Sequence, residues 1–314
     1  MKRYNDLNTY LRSLYGCRVQ KITVDAGFTC PNRDGHIAQG GCIYCNAAGS
    51  GTGANQKGIS IRRQLEQGKQ ALARRYKAKK FIAYFQSFTN TYAPLTTLKK
   101  RYDEALAVED VVGLSIGTRP DCVDADILSL LETYGRRCLI WIEYGLQTAS
   151  NRSLALLNRG HDFESFRQAV LLSAGRGLRV CAHVILGIPG ETERHMMATA
   201  RAIAALPVDG IKIHLMYVIK NTPLEKLYRK GHYRCLERQE YIDLVCRFLE
   251  RLPAEVVVQR LTGDPHPDEL VAPAWSLDKR RNLRGIQERL ESLDTWQGRL
   301  CGPRMVDKAR ENNE

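Results

Sequence analysis

Seven short apolar and β-branched runs recur along this chain, and stretches of helical periodicity separate the first six. The runs cover residues 21–25, 81–86, 111–117, 139–145, 178–186 and 210–218, with a later one at 255–261. The helical spacers cover 60–76, 94–107, 125–134, 163–176 and 191–205. Strands that alternate with helices pair in parallel and carry the helices outside the sheet. Six such units are too few for a closed eight-stranded barrel and fit a partial (β/α)6 barrel, with functional residues expected at the C-terminal ends of the strands. The fold class expected is therefore α/β. Residues 1–20 read as an N-terminal segment, 21–250 as the partial barrel and 251–306 as a short α/β extension. The tail 307–314 is expected to be disordered. No internal repeat or low-complexity segment interrupts the pattern.

The composition can fill such a core. Of 314 residues, 44% are hydrophobic and 26% charged, which excludes a disordered or fibrous chain. No run reaches the roughly 20 apolar residues that span a bilayer. The basic start Met1-Lys2-Arg3 has no apolar run behind it, so no signal peptide is expected. The protein is read as cytoplasmic, with no membrane partner. Ten cysteines in a cytoplasmic chain of this length argue for reduced thiols, a metal site or both.

The net charge of +13 is not spread evenly. Between Lys57 and Arg101 stand twelve basic residues and one acid, Glu66. A clustered excess of this kind suits a polyanion, with tRNA or another RNA the leading candidate partner for segment 57–101. A solvated helix face is the alternative.

Directly after the first strand comes a loop with Cys30, Cys42 and Cys45, eleven residues separating the first pair and two the second. Such a loop can wrap three thiolates around one site, and thiolates prefer zinc or iron–sulfur clusters. Zinc in a structural site takes four protein ligands, and His36 is the only local candidate for the fourth. Three thiolates can instead hold a [4Fe–4S] cluster and leave one iron open to the amino and carboxylate groups of S-adenosylmethionine. An electron from the cluster then breaks a C–S bond of that molecule and yields a 5′-deoxyadenosyl radical. Tyr44, between the last two cysteines, would shield the cluster.

The loop resembles the cysteine motif of the radical SAM superfamily, in a longer-spaced form than the common C-x3-C-x2-C. The chain also resembles the YhcC-type branch, related to the radical SAM domain of the Elongator catalytic subunit. That closer likeness runs through Gln86-Ser-Phe-Thr-Asn-Thr-Tyr92, Gly117-Thr-Arg-Pro-Asp121, Glu143-Tyr-Gly-Leu-Gln147 and Asn158-Arg-Gly-His161. It continues through Gly187-Ile-Pro-Gly-Glu191, Gln259-Arg-Leu-Thr-Gly-Asp264 and Ala272-Pro-Ala-Trp-Ser276. The resemblance implies a TIM-like radical SAM barrel, a [4Fe–4S] cluster on Cys30, Cys42 and Cys45, S-adenosylmethionine as cofactor, and an electron donor such as flavodoxin or ferredoxin.

It also implies cofactor contacts. Gln86, Thr89 and Asn90 stand where the superfamily usually has a Gly-Gly-Glu turn for the methionine amino group, so this chain offers polar groups without a carboxylate. Gln147 and Arg159 occupy positions similar to a Gln and an Arg that contact the ribose and the methionine carboxylate in oxygen-independent coproporphyrinogen oxidase-like enzymes. Glu143 shares its parity with Gly145 and Gln147 and is expected to face the barrel interior, where ribose hydroxyls would partner a buried carboxylate. Gly187 and Gly190 lie where the superfamily places the adenine ring. His183 points inward if alternation holds. The glycine-rich run from Gly49 to Gly53 has no preceding strand and reads as a loop beside the cluster.

Three functions compete. The leading expectation is a radical SAM enzyme acting on RNA, a tRNA uridine, supported by the triad, the Elongator-like motifs and the basic segment. Its rivals are a radical SAM enzyme for a small molecule or protein, and a zinc-stabilised RNA-binding protein without catalysis. Salt-sensitive tRNA binding favours the first over the second. Iron and sulfide against zinc separates the third.

Overall fold

The alternation resolves into one parallel sheet whose order follows the chain. The computed structural model describes residues 2–46, 49 and 53–302. The expected disordered tail, 307–314, lies outside the described residues, as do Ser50, Gly51 and Thr52 of the glycine-rich run. Helix α1 (Leu7–Tyr15) leads into β1 (Val19–Val24), α2 (Ile61–Tyr76), β2 (Lys80–Phe85), α3 (Leu95–Leu106) and β3 (Val111–Thr118). Then come α4 (Ala125–Gly135), β4 (Leu139–Gln147), α5 (Asn151–Leu156), α6 (Phe163–Ser173), β5 (Arg179–Leu186), α7 (Glu193–Ala204) and β6 (Gly210–Leu215). The chain continues through β7 (Val218–Ile219), α8 (Pro223–Arg229), α9 (Arg238–Leu249), β8 (Val257–Arg260), β9 (Leu270–Ala272) and α10 (Lys279–Ser292).

Strands β1 to β6 lie side by side, and β8 adds beside β6, all in parallel. The run at 255–261 is thus the seventh strand of the same curled sheet. The expected strand 210–218 is two pieces. After Leu215 the Met216 N–H donates to Leu186 O at 2.9 Å, and the chain leaves the sheet. β7 then pairs antiparallel with β9 in a separate ribbon. Apolar residues run straight through this break, so periodicity alone could not locate it.

Side-chain caps start three of the crossover helices, α2, α4 and α6. Ser60 accepts from Arg63 N–H, Asp124 from Ile127 N–H and Asp162 from Ser165 N–H, each filling one of the donors a first turn leaves open. Each helix then buries one stripe on the sheet: Leu65 of α2, Leu98 of α3, Leu128 of α4 and Phe166 of α6 are all fully buried. On the concave side, α1 plugs the N-terminal end of the strands. Its Leu11 packs with Val19 and Ile82, and Tyr10 meets Trp141 edge-on at 5.9 Å. Leu7 and Tyr10 also pack on Cys181 and Val257. A charged layer lies above this apolar plug, and above that a cavity opens at the C-terminal ends of the strands.

Candidate active site

The loop after β1 brings Cys30, Cys42 and Cys45 to the wall of one cavity of about 360 Å³. Tight turns shape it: Arg33 N–H donates to Cys30 O at 2.8 Å, and Cys45 N–H to Cys42 O at 3.0 Å. Gly41 has φ near +80°, and a Cβ there would stand 2.9 Å from the Arg33 side chain. That arginine in turn donates to Cys45 O at 3.1 Å and to Asn46 O. The segment after α5 clasps the loop from the other side. Asn158 donates to Gly41 O at 2.8 Å, Asn32 to Asn158 O at 2.5 Å, and Ile43 N–H to Leu157 O at 3.1 Å.

Arg159 follows from this clasp. It is buried, donating to Gly145 O at 2.7 Å and to Cys42 Sγ at 3.2 Å, while its Nε lies 3.2 Å from His161 Nε2. Burial and then the Arg159 charge push His161 down to about 3, so its ring is neutral. Behind it, the buried Arg119 grips Asp121 through two bonds of 2.9 and 2.7 Å and donates to Arg159 O at 2.6 Å. A cation is thereby fixed beside a sulfur of the triad, not on the surface.

Beneath the cavity Glu143 is fully buried, and its carboxylate gathers a polar layer from five strands. One oxygen accepts from Lys21 at 2.6 Å and from Ser115; the other accepts from Lys212 and pairs with His183 Nε2 at 2.7 Å. Burial alone would raise this carboxyl, but Lys21 and Lys212 hold it well below the usual range. Burial lowers Lys21 to about 8 and His183 to about 4, the latter with Lys212 assisting. Lys21 also reaches Gln259 across the curl at 2.6 Å, tying β1 to β8.

The expected cofactor residues separate into those on the cavity and those off it. Cys30, Cys42, Cys45, Gln86, Thr89, Glu143, Gln147 and Arg159 all line it. Asn90 does not: its amide is spent on Phe85 O at 3.1 Å and Gly117 O at 2.8 Å, stapling the strand ends behind the wall. Gly187 and Gly190 also stand off the wall, where Ile185 and Met216 supply the apolar surface. A Cβ at Gly187 would meet Leu236 at 2.8 Å, so this turn makes room for protein. Gln147 arrives by a route alternation does not describe: a register shift after Gly145 and a left-handed φ of 76° turn it inward. Glu143 faces inward as parity requires, but its four acceptor positions are already filled, so a ribose hydroxyl would have to displace a lysine, a serine or a histidine.

Sequence reading missed Lys21, Lys212, His214 and Arg260. Their signal was a charge or imidazole at an inward parity within an apolar strand, as in Ile211-Lys212-Ile213-His214. The basic segment is also divided. Arg62 and Arg63 start α2 at the cavity end, whereas Lys79 N–H bonds Arg18 O at 3.0 Å, at the opposite end of the strands. Lys99, Arg101, Lys69 and Arg62 pair with Asp103, Glu104, Asp110 and Glu66.

The donor set fits an iron–sulfur cluster. Among the described residues no three Cys, His, Asp or Glu side chains converge so as to hold a single ion, and His36 is exposed and off the cavity. A four-iron cluster asks for thiolates around a volume, each on its own iron, and three thiols along one wall answer that. On the same wall Thr89 Oγ1 is buried without a hydrogen-bond partner. A Cβ at Gly145 would stand 2.8 Å from Gln147 Nε2 and 3.1 Å from Arg159, so glycine keeps a polar cradle open there.

Comparison with known proteins agrees with this geometry. The family model described as the Radical SAM superfamily matches residues 30–203, and the Radical_SAM C-terminal domain matches 208–292. The chain is similar to the protein YtqA of Bacillus subtilis, 44% identical over 299 residues that cover 95% of this chain and 93% of YtqA. It is 30% identical over 157 residues to a tRNA uridine(34) acetyltransferase of Methanocaldococcus jannaschii, covering 49% of this chain and 28% of that protein. The solved structure of the archaeal Methanocaldococcus infernus Elp3 superposes with a TM-score of 0.69 at 18% identity, over 90% of this chain and 64% of that one. At that identity the likeness is one of fold.

Proposed function

The chain belongs to the radical SAM superfamily, and from that premise we propose that it is an S-adenosylmethionine-cleaving enzyme that modifies RNA, at a uridine of tRNA. The observation that carries the enzymatic reading is the meeting of three thiols, Gln147 and the buried Arg159 on one cavity at the strand ends. When bound, a [4Fe–4S] cluster on Cys30, Cys42 and Cys45 supplies the electron that breaks a C–S bond of S-adenosylmethionine.

The protein's own groups position and shield. Arg159 offers a cation to thiolate and methionine carboxylate alike, held in place by Arg119 and Gly145. Gln147 is assigned to the ribose. Gln86 and Thr89 are assigned to the amino group, with Asn90 bracing the turn behind them. Gly187 and Gly190 shape the adenine end through the segment packed on them, and Glu143 we assign to holding the lysines of the layer below. Burial raises the Cys45 thiol against the pull of Arg33, so ligation there releases a proton.

The RNA reading rests on the sequence likeness to a tRNA uridine(34) acetyltransferase and on exposed bases at the end of the strands where the cavity opens, Lys57, Arg62 and Arg63. The reaction is placed in the cytoplasm with a flavodoxin or ferredoxin as electron donor; all ten cysteines are free, and among the described residues no helix is long and apolar enough to cross a membrane. Nucleoside analysis of tRNA from cells lacking the protein tests the substrate. One modified uridine should be missing, and an unchanged profile would remove RNA from the proposal.

A further inference from the structure

We propose that the inner end of the cavity is a subsite for an oxyanion of the substrate, a carboxylate or a phosphate, with Arg260 as its principal ligand. The inference rests on reading this cavity as that of a radical SAM enzyme, and it names the chemistry of what enters.

Arg260 ends β8 and lines the cavity, yet among the described residues its guanidinium makes no hydrogen bond and no ion pair. It stands in register with Lys212 on β6. Lys212 and Lys21 already share the single carboxylate of Glu143. Three cations thus face one anion at the cavity floor. A surplus of positive charge taken from water is costly unless an anion offsets it.

The neighbouring groups suit such a guest. His183 and His214 lie with ring centroids 5.6 Å apart, and burial pushes both well down, so each is a neutral donor or acceptor and no further cation. Tyr84 stacks under Lys212 at 4.0 Å, fixing that ammonium below the floor and leaving Arg260 as the charge that projects. The carboxylates on the cavity rim, Asp264 and Glu269, are exposed and engaged by Lys279 at 2.8 Å and Asn46 at 3.0 Å. A guanidinium fork matches the paired oxygens of a carboxylate or phosphate edge. The residues assigned to S-adenosylmethionine belong to β4 and to the turns after β2, β5 and α5, and none of them is on β8, so Arg260 is not needed for that cofactor.

Calorimetric titration of anaerobically prepared, cluster-loaded protein with inorganic phosphate and with acetate tests this at low ionic strength. At least one should bind, and Arg260→Gln should weaken it by about tenfold or more. Iron content and S-adenosylmethionine binding should stay as in wild type. Uridine 5′-monophosphate binding more tightly than uridine identifies a nucleotide phosphate as the source, whereas acetate binding above phosphate identifies a carboxylate. If Arg260→Gln fails to hold iron, Arg260→Lys keeps the charge without the fork and should weaken binding severalfold. The proposal is overturned if wild type binds neither anion, or if the folded variant binds as wild type does. Loss of deoxyadenosine formation with anion binding intact would instead remove the radical SAM reading and leave the subsite standing.

Discussion

Glu143 shows how one residue sets the character of the interior. Its carboxylate holds Lys21, Lys212 and His183 inside the curl, away from water. Glu143→Gln leaves two buried lysines without their counter-charge and should destabilise the fold by about 3–5 kcal/mol in denaturant unfolding at pH 7. The buried histidines add a pH dependence. Burial holds His183 at about 4 and His214 well below the usual imidazole range, whereas in the unfolded chain each takes up a proton below about 6.5. The unfolded state therefore binds more protons from about pH 6.5 down to about 4, and stability falls with pH across that window, by up to about 1.4 kcal/mol per unit for each ring. Glu143 acts in the same direction at lower pH: its depressed pKa contributes stability that is fully present above about 4.3 and is lost as pH falls below that. Equal unfolding free energies at pH 7 and pH 5 would contradict the neutral-histidine account, and His183→Asn should make the slope shallower. Glu143 was legible from parity, but its partners were not, because a lysine inside an apolar strand looks like a solvated edge until four other strands close around it.

At the scale of elements, α2 turns a single run of charge into two separate features. Sixteen residues span about 24 Å, so Lys57, Arg62 and Arg63 sit at the C-terminal end of the strands while Arg74, Arg75, Lys77 and Lys79 sit beside the strand starts. In sequence these bases form one patch; in the fold only the first group lies at the end of the strands where the cavity opens. Reversing Lys57, Arg62 and Arg63 to Glu should weaken tRNA binding and flatten its salt dependence by about one unit for each phosphate that no longer meets a base. Reversing Arg74, Arg75 and Lys77 should do less, measured in the same titration. The opposite ranking would place RNA on the far end of the barrel and sever charge from the proposed site. The cysteine loop also depends on an element that patterning did not reveal: α5 and the turn after it carry Leu157, Asn158 and Arg159 against Cys42, joining positions more than a hundred residues apart.

For the whole molecule, alternation was enough to read a parallel partial barrel with its site at the strand ends, because period-2 and helical patterns survive in any sequence that buries them. The plug of α1, the break after Leu215 and the bulge after Gly145 were not legible, since each depends on what packs across the curl. The central claim is that Cys30, Cys42 and Cys45 arm this cavity for S-adenosylmethionine cleavage. Anaerobically reconstituted protein given S-adenosylmethionine and a strong reductant tests it most directly, with iron and 5′-deoxyadenosine measured together. Wild type and Cys246→Ala should bind iron and release 5′-deoxyadenosine, and Cys42→Ala should do neither; an intact cluster that yields no 5′-deoxyadenosine, or full iron in Cys42→Ala, would contradict the account.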